Sequence, residues 1–138
     1  NIVFVENKAG SLKRVTGLLA NNNINIYGFA CFDAPEFAIF RMICDDPDKA
    51  EIILNQSGYM NRITQAIVVD MKDQVGGLDE LLKIMADSNV SLDYIYTSFH
   101  RKDLRPVVIL HSEDITVTES VLKNNGFKVF SAADELEK

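Results

Sequence analysis

Much that would announce a function is scarce in this chain, and each scarcity excludes something. No apolar run approaches the roughly 20 residues of a membrane-spanning helix, so no membrane partner is expected. No large cluster of Lys and Arg stands against the formal charge of −6. Affinity for a phosphate backbone rests on such clusters, so no nucleic-acid partner is expected either, and the small basic group Arg101, Lys102 and Arg105 does not change that. There are two cysteines, Cys31 and Cys44. Their spacing fits no metal site, and they read as reduced, buried thiols of a cytoplasmic protein. They lie on neighbouring strands of one hairpin, which predicts a buried thiol pair rather than a redox switch. The two histidines, His100 and His111, have no cysteine or clustered carboxylate beside them. No nucleophile–base pair, phosphate loop or metal-ligand spacing is present. The chain therefore reads as no enzyme, with no catalytic residue, no cofactor and no metal. No signal peptide is visible, and Asn1 sits at the edge of a strand, so a few leading residues are expected before it.

What the chain does have is a core and a repeat. Of its 138 residues 47% are hydrophobic, enough for one ordinary domain or two small ones. The turn Asn7-Lys8-Ala9-Gly10-Ser11-Leu12 follows the apolar run Ile2-Val3-Phe4-Val5 and opens a helical pattern. The same grammar returns at Asp73-Gln74-Val75-Gly76-Gly77-Leu78, after Ile67-Val68-Val69. In the first copy Leu12, Val15, Leu18 and Leu19 fall on one helical face. Asn21-Asn22-Asn23 ends that helix, because Asn tolerates left-handed angles. Strands over 24–32 and 37–44 form a hairpin around Asp33-Ala34-Pro35-Glu36. Asp46 then caps a helix with Pro47 in its first position, Ala50, Ile53 and Leu54 inward, and Gly58 as its stop. A short strand at 59–64 closes the unit.

The second copy repeats this order. A strand covers 66–72. Leu78, Leu81, Leu82 and Met85 mark the next helix, and Asn89-Val90-Ser91-Leu92 matches Asn23-Ile24-Asn25-Ile26. Strands cover 92–99 and 106–112. A helix starting near Thr116 turns Val117, Val121 and Leu122 inward, Gly126 matches Gly58, and Phe127-Lys128-Val129-Phe130 is the last strand. The acidic tail from Ala132 is expected to fray.

The predicted fold class is α+β, two ferredoxin-like βαββαβ modules at 1–65 and 66–138. A module of that size buries only about 60% of its unfolded surface and is marginal alone. Strands such as Val107-Val108-Ile109-Leu110 are apolar on both faces, whereas a sheet covered on one face alternates. The antiparallel sheets are therefore expected to pack together, within the chain and in a homodimer.

These residues resemble an ACT domain, the small-molecule-sensing module attached to several amino-acid biosynthetic enzymes. The resemblance rests on Val5-Glu6-Asn7-Lys8-Ala9-Gly10-Ser11-Leu12 and Ile24-Asn25-Ile26, and again on Gln74-Val75-Gly76-Gly77-Leu78 and Asn89-Val90-Ser91-Leu92. It covers essentially the whole chain, which is similar to a stand-alone tandem ACT protein. It implies a regulatory or sensor protein that binds a small molecule, most directly a free amino acid, at an interface between modules. The bound state would modulate a partner, such as an amino-acid biosynthetic enzyme, or the packing of a homodimer. The alternative is a regulatory subunit that docks on such an enzyme without any ligand.

The resemblance also implies a site. Family members hold the amino acid where the first strand turns into the first helix, against the second strand of a neighbouring module. Here that means Asn7, Lys8, Ala9, Gly10, Ser11 and Leu12, with Asn25 and Ile26. The weaker second set is Asp73, Gln74, Val75, Gly76, Gly77 and Leu78, with Ser91 and Leu92. Serine-binding members carry a histidine where this chain has Val5, which puts serine itself in question. The physical case is separate: a helix N-terminus offers unsatisfied N–H groups and a positive dipole end, which suits a ligand carboxylate. Asn7 and Asn25 would hold a zwitterion through amide groups, and Asp73 would pair with an ammonium.

Overall fold

A computed structural model describes residues 1–6 and 8–130. The chain divides into two compact units, one over residues 1–64 and one from Gln65 onward. Each has the order strand, helix, strand, strand, helix, strand.

Unit 1 comprises β1 (Ile2–Val5), α1 (Ser11–Asn21), β2 (Ile26–Asp33), β3 (Ala38–Cys44), α2 (Pro47–Gln56) and β4 (Asn61–Arg62). Its sheet has the order β2-β3-β1-β4, with every pair antiparallel. β2 is thus an edge strand beside α1, which matters for the site. Val3, Val5, Phe40, Met42 and Cys44 meet Val15, Leu19, Ala50 and Leu54 in one buried core.

Unit 2 repeats the plan with β5 (Ile67–Asp70), α3 (Gly77–Asp87), β6 (Leu92–Phe99), β7 (Pro106–Ser112), α4 (Ile115–Asn124) and β8 (Val129–Phe130). Its order is β6-β7-β5-β8. Ile67, Val69, Val108 and Leu110 pack on Leu81, Met85 and Leu122. On the face turned away from these helices Val68, Val107 and Ile109 are also buried, as their continuous apolar runs require.

All four helices stop in the same way. Asn23, Gly58, Asn89 and Gly126 have φ between 55° and 85°. The N–H of the next residue then reaches back to the last turn, as Tyr59 to the Leu54 oxygen at 2.9 Å and Ile24 to the Leu19 oxygen at 3.0 Å. Because Tyr59 and Phe127 serve these closing turns, β4 and β8 shrink to two residues each and do not span 59–64 or 127–130.

Other expectations are corrected. The buried faces of the first helices are Ser11, Val15 and Leu19, and Gly77, Leu81 and Met85, so Leu12, Leu78 and Leu82 are exposed. A Cβ on Gly77 would collide with the Lys72 carbonyl oxygen, so this glycine lies inside the helix and lets α3 approach the end of β5. α4 starts at Ile115, next to Thr116 as expected, with Asp114 as its cap, but it buries Thr118 and Leu122 while Val117 is exposed. The thiol pair does not form. The register sets Cys31 opposite Phe40 and Cys44 opposite Ile26, and Cys31 is exposed while Cys44 is buried. The tail from Ala132 lies outside the described residues.

Candidate ligand site

The four helices begin in two different ways. α2 and α4 carry their own carboxylate caps: Asp46 accepts from the Lys49 N–H and Asp114 from the Val117 N–H, both at 3.1 Å. α1 and α3 begin on glycine. Gly10 has φ 83° and ψ −8°, Gly76 has φ 83° and ψ 0°, and neither offers a side chain to the helix. A side-chain residue resists those angles, and the space around both positions is open. Each uncapped N-terminus therefore presents donors and the positive end of a helix dipole to solvent.

Around the first turn, Lys8 is exposed and paired with Glu6 at 2.7 Å, which holds the Glu6 carboxyl below its ordinary value. Ala9 is exposed, and Ser11 is buried with no hydrogen-bond partner for its hydroxyl among the described residues. Asn7 lies outside the described residues. Leu12 stands across a groove of about 400 Å³ lined also by Lys13, Thr16, Ile26, Phe29 and Phe40. Two of the residues singled out in the sequence, Leu12 and Ile26, are thus brought together. Thr16, Phe29 and Phe40 were not singled out. Phe29 reaches Phe40 with ring centroids 6.0 Å apart. The signal for it was an aromatic residue on a strand that the sheet order leaves at the edge.

Asn25 is not brought to this turn within unit 1. Its N–H donates to Asp45 Oδ1 at 3.1 Å, at the opposite end of α1. An 11-residue helix is about 16 Å long, so Asn25 and Gly10 cannot touch one small ligand in the same unit.

The second turn lines a groove of about 440 Å³ with Met71, Lys72, Asp73, Gln74, Gly76, Gly77 and Leu78. Lys72 reaches across to Glu80 at 3.0 Å, and Val75 is fully exposed at the tip. Ser91 is again elsewhere. It lines a polar groove of about 510 Å³ with Ser88, Ser112, Glu113 and Thr118, next to Leu92, which packs on the core.

The remaining polar residues have structural surroundings. His111 Nδ1 lies 2.7 Å from Asp93 Oδ2, and its ring stacks on Tyr94 at 5.4 Å. Tyr94 in turn stacks on Tyr96 at 5.9 Å. His100 is buried against Phe130 and lies 3.5 Å from Asp103. Arg41 sits over the Phe32 ring at 5.5 Å. Among the described residues no three His, Cys, Asp or Glu side chains group as a metal site, and no helix is long and apolar enough to cross a membrane.

Known proteins agree with this architecture. The chain is similar to protein BT0572 from Bacteroides thetaiotaomicron, at 27% identity over 99% of this chain and 94% of that one, with a TM-score of 0.88. It shares its fold with the regulatory subunit of aspartate kinase from Thermus thermophilus in its ligand-free form, at 16% identity over 91% of each chain and a TM-score of 0.63. It also shares it with the aspartokinase alpha and beta subunits, at 18% identity over 89% of each chain and a TM-score of 0.57. No curated protein sequence matches. The family model described as an ACT domain pair matches residues 1–137, and the chain belongs to that family.

Proposed function

We propose that this chain is a regulatory sensor that binds a free amino acid at the Asn7–Leu12 turn. The single observation that carries this is the contrast between helix starts: α2 and α4 are finished by Asp46 and Asp114, whereas α1 begins on Gly10 beside an apolar groove. The ligand carboxylate would occupy the place that the Asp46 carboxylate fills in α2, and its side chain would lie toward Leu12, Ile26 and Phe29. Asn7 would hold the zwitterion, with Asn25 contributed by a facing module. The Asp73 turn is the weaker second site. Family membership and the likeness to a kinase regulatory subunit support this reading. Occupancy would be passed to a partner enzyme, or to the packing of a homodimer, through differential affinity for two states, commonly about 1–3 kcal/mol. The chain would act without chemistry of its own, in the cytoplasm.

The test is a thermal-shift screen of the twenty amino acids. A ligand at 100 times its Kd adds about 2.7 kcal/mol, a clear rise in Tm. No response at millimolar concentrations would leave the second reading, a ligand-independent subunit docked on an enzyme.

A further inference from the structure

Unit 2 leaves open a place that unit 1 fills with its own side chains. In unit 1 the end of α1 is tied to the start of α2. Asn25 and Asp45 exchange two hydrogen bonds, and Lys49 Nζ donates to the Asn22 oxygen at 2.7 Å. Asn22 is the C-cap of α1, where the last carbonyls and the negative end of the helix dipole favour a cation. With Asn23 set on Asn89 and Asp46 on Asp114, the residues Asn22, Asn25, Asp45 and Lys49 correspond to Ser88, Ser91, Glu113 and Val117. Among the described residues Ser91 and Glu113 make neither bond of the clasp, and Val117 brings no ammonium to the Ser88 oxygen. The place is instead a groove of about 510 Å³ lined by Ser88, Glu113, Asp114 and Val117. Its buried lining is polar. Ser112 and Thr118, at 2% and 1% exposure, replace Cys44 and Ala50 and bond to each other and to the Asp114 oxygen.

We propose that this groove binds an aliphatic diamine. One ammonium takes the position that Lys49 Nζ holds in unit 1, on the Ser88 oxygen at the end of α3, and its methylene stem lies along Val117. The Asp114 carboxylate is engaged by the Val117 N–H, so Glu113 is the carboxylate that receives the second ammonium. A free amino acid is a poor occupant, because its own carboxylate would meet Glu113 and Asp114. The groove lies at the opposite end of α3 from the Gly76 turn, so it stands or falls apart from the amino-acid reading.

The test is calorimetric titration of the whole chain with cadaverine at constant pH and ionic strength, with circular dichroism to confirm that each variant folds. Wild type is expected to bind cadaverine. Pentylamine keeps the stem but has one ammonium, and should bind about fivefold more weakly, the effect of one exposed ion pair. Glu113→Gln should weaken cadaverine by a similar factor and bring the two amines level. Val117→Lys supplies the ammonium from the chain itself, as Lys49 does in unit 1, and should abolish cadaverine binding while leaving any amino-acid response at the first turn unchanged. No binding of cadaverine at millimolar concentration overturns the proposal. So does a folded Val117→Lys that binds it as wild type does, a Glu113→Gln that leaves its affinity unmoved, or heat of binding that magnesium chloride reproduces at equal ionic strength.

Discussion

Asn25 and Asp45 hold each other at the foot of α1. The Asn25 N–H donates to Asp45 Oδ1, and the Asp45 N–H donates to the Asn25 carbonyl oxygen, both at 3.1 Å. Lys49 Nζ adds a bond to the Asn22 oxygen at 2.7 Å nearby. Asp45→Ala removes one acceptor from this exposed clasp and should cost about 1 kcal/mol of stability. Urea unfolding checks it, and a loss within error of zero would show that the clasp does not hold in solution.

The two turn glycines should respond differently to alanine. At Gly77 the added methyl has nowhere to go, because the Lys72 backbone occupies the space. Gly77→Ala should destabilise the chain by about 2–3 kcal/mol, as overpacking does. At Gly10 the space is open and only the positive φ resists, so Gly10→Ala should cost about 1–2 kcal/mol. Comparing the two urea midpoints is the measurement. Equal and negligible effects would contradict the close approach of α3 to β5.

Asn7→Ala combined with Asn25→Ala should abolish any amino-acid response in the thermal-shift screen while leaving the far-UV spectrum unchanged. The Asn25 backbone bonds to Asp45 survive truncation of its side chain. A double variant that still responds in full would place the ligand elsewhere.

The two thiols should differ in reactivity. Cys31 is exposed, while Cys44 is buried with its Sγ 3.5 Å from Asn1 Oδ1. Burial pushes the Cys44 thiol above its ordinary value of 9.0. A thiol reagent at pH 8 should label one cysteine rapidly in the folded protein and both after denaturation. Because the folded value is the higher one, the stability this group contributes is complete below pH 9.0 and is lost as pH rises through the folded value. Wild type should therefore lose ground to Cys44→Ala at alkaline pH. Two fast thiols in the native state would contradict the burial.

Much of the fold was legible because local signals agreed with the global plan. The repeat, the Asp46-Pro47 cap and the asparagine stops at Asn23 and Asn89 each specify a boundary through backbone chemistry alone. Periodicity served less well for the edges of the helical stripes. It groups Leu12 with Val15 and Leu19, and Leu78 with Leu81, but sheet contact decides which edge is buried, and it turned Ser11 and Gly77 inward instead. The candidate site was half legible for the same reason. The glycine turns follow from sequence, whereas the hollow made by Thr16, Phe29 and Phe40 exists only once the sheet order puts β2 at the edge.

The division between finished and unfinished helix starts carries a consequence for motion. At α2 and α4 the Lys49 and Val117 amides are tied to the carboxylates of Asp46 and Asp114, so their protons should exchange with solvent slowly. The equivalent amides in the first turns of α1 and α3 have no such tether from Gly10 or Gly76 and should open often and locally. A bound carboxylate would supply the missing acceptor and slow that opening. Occupancy would then be written first as quiet in one turn of helix, before any larger rearrangement.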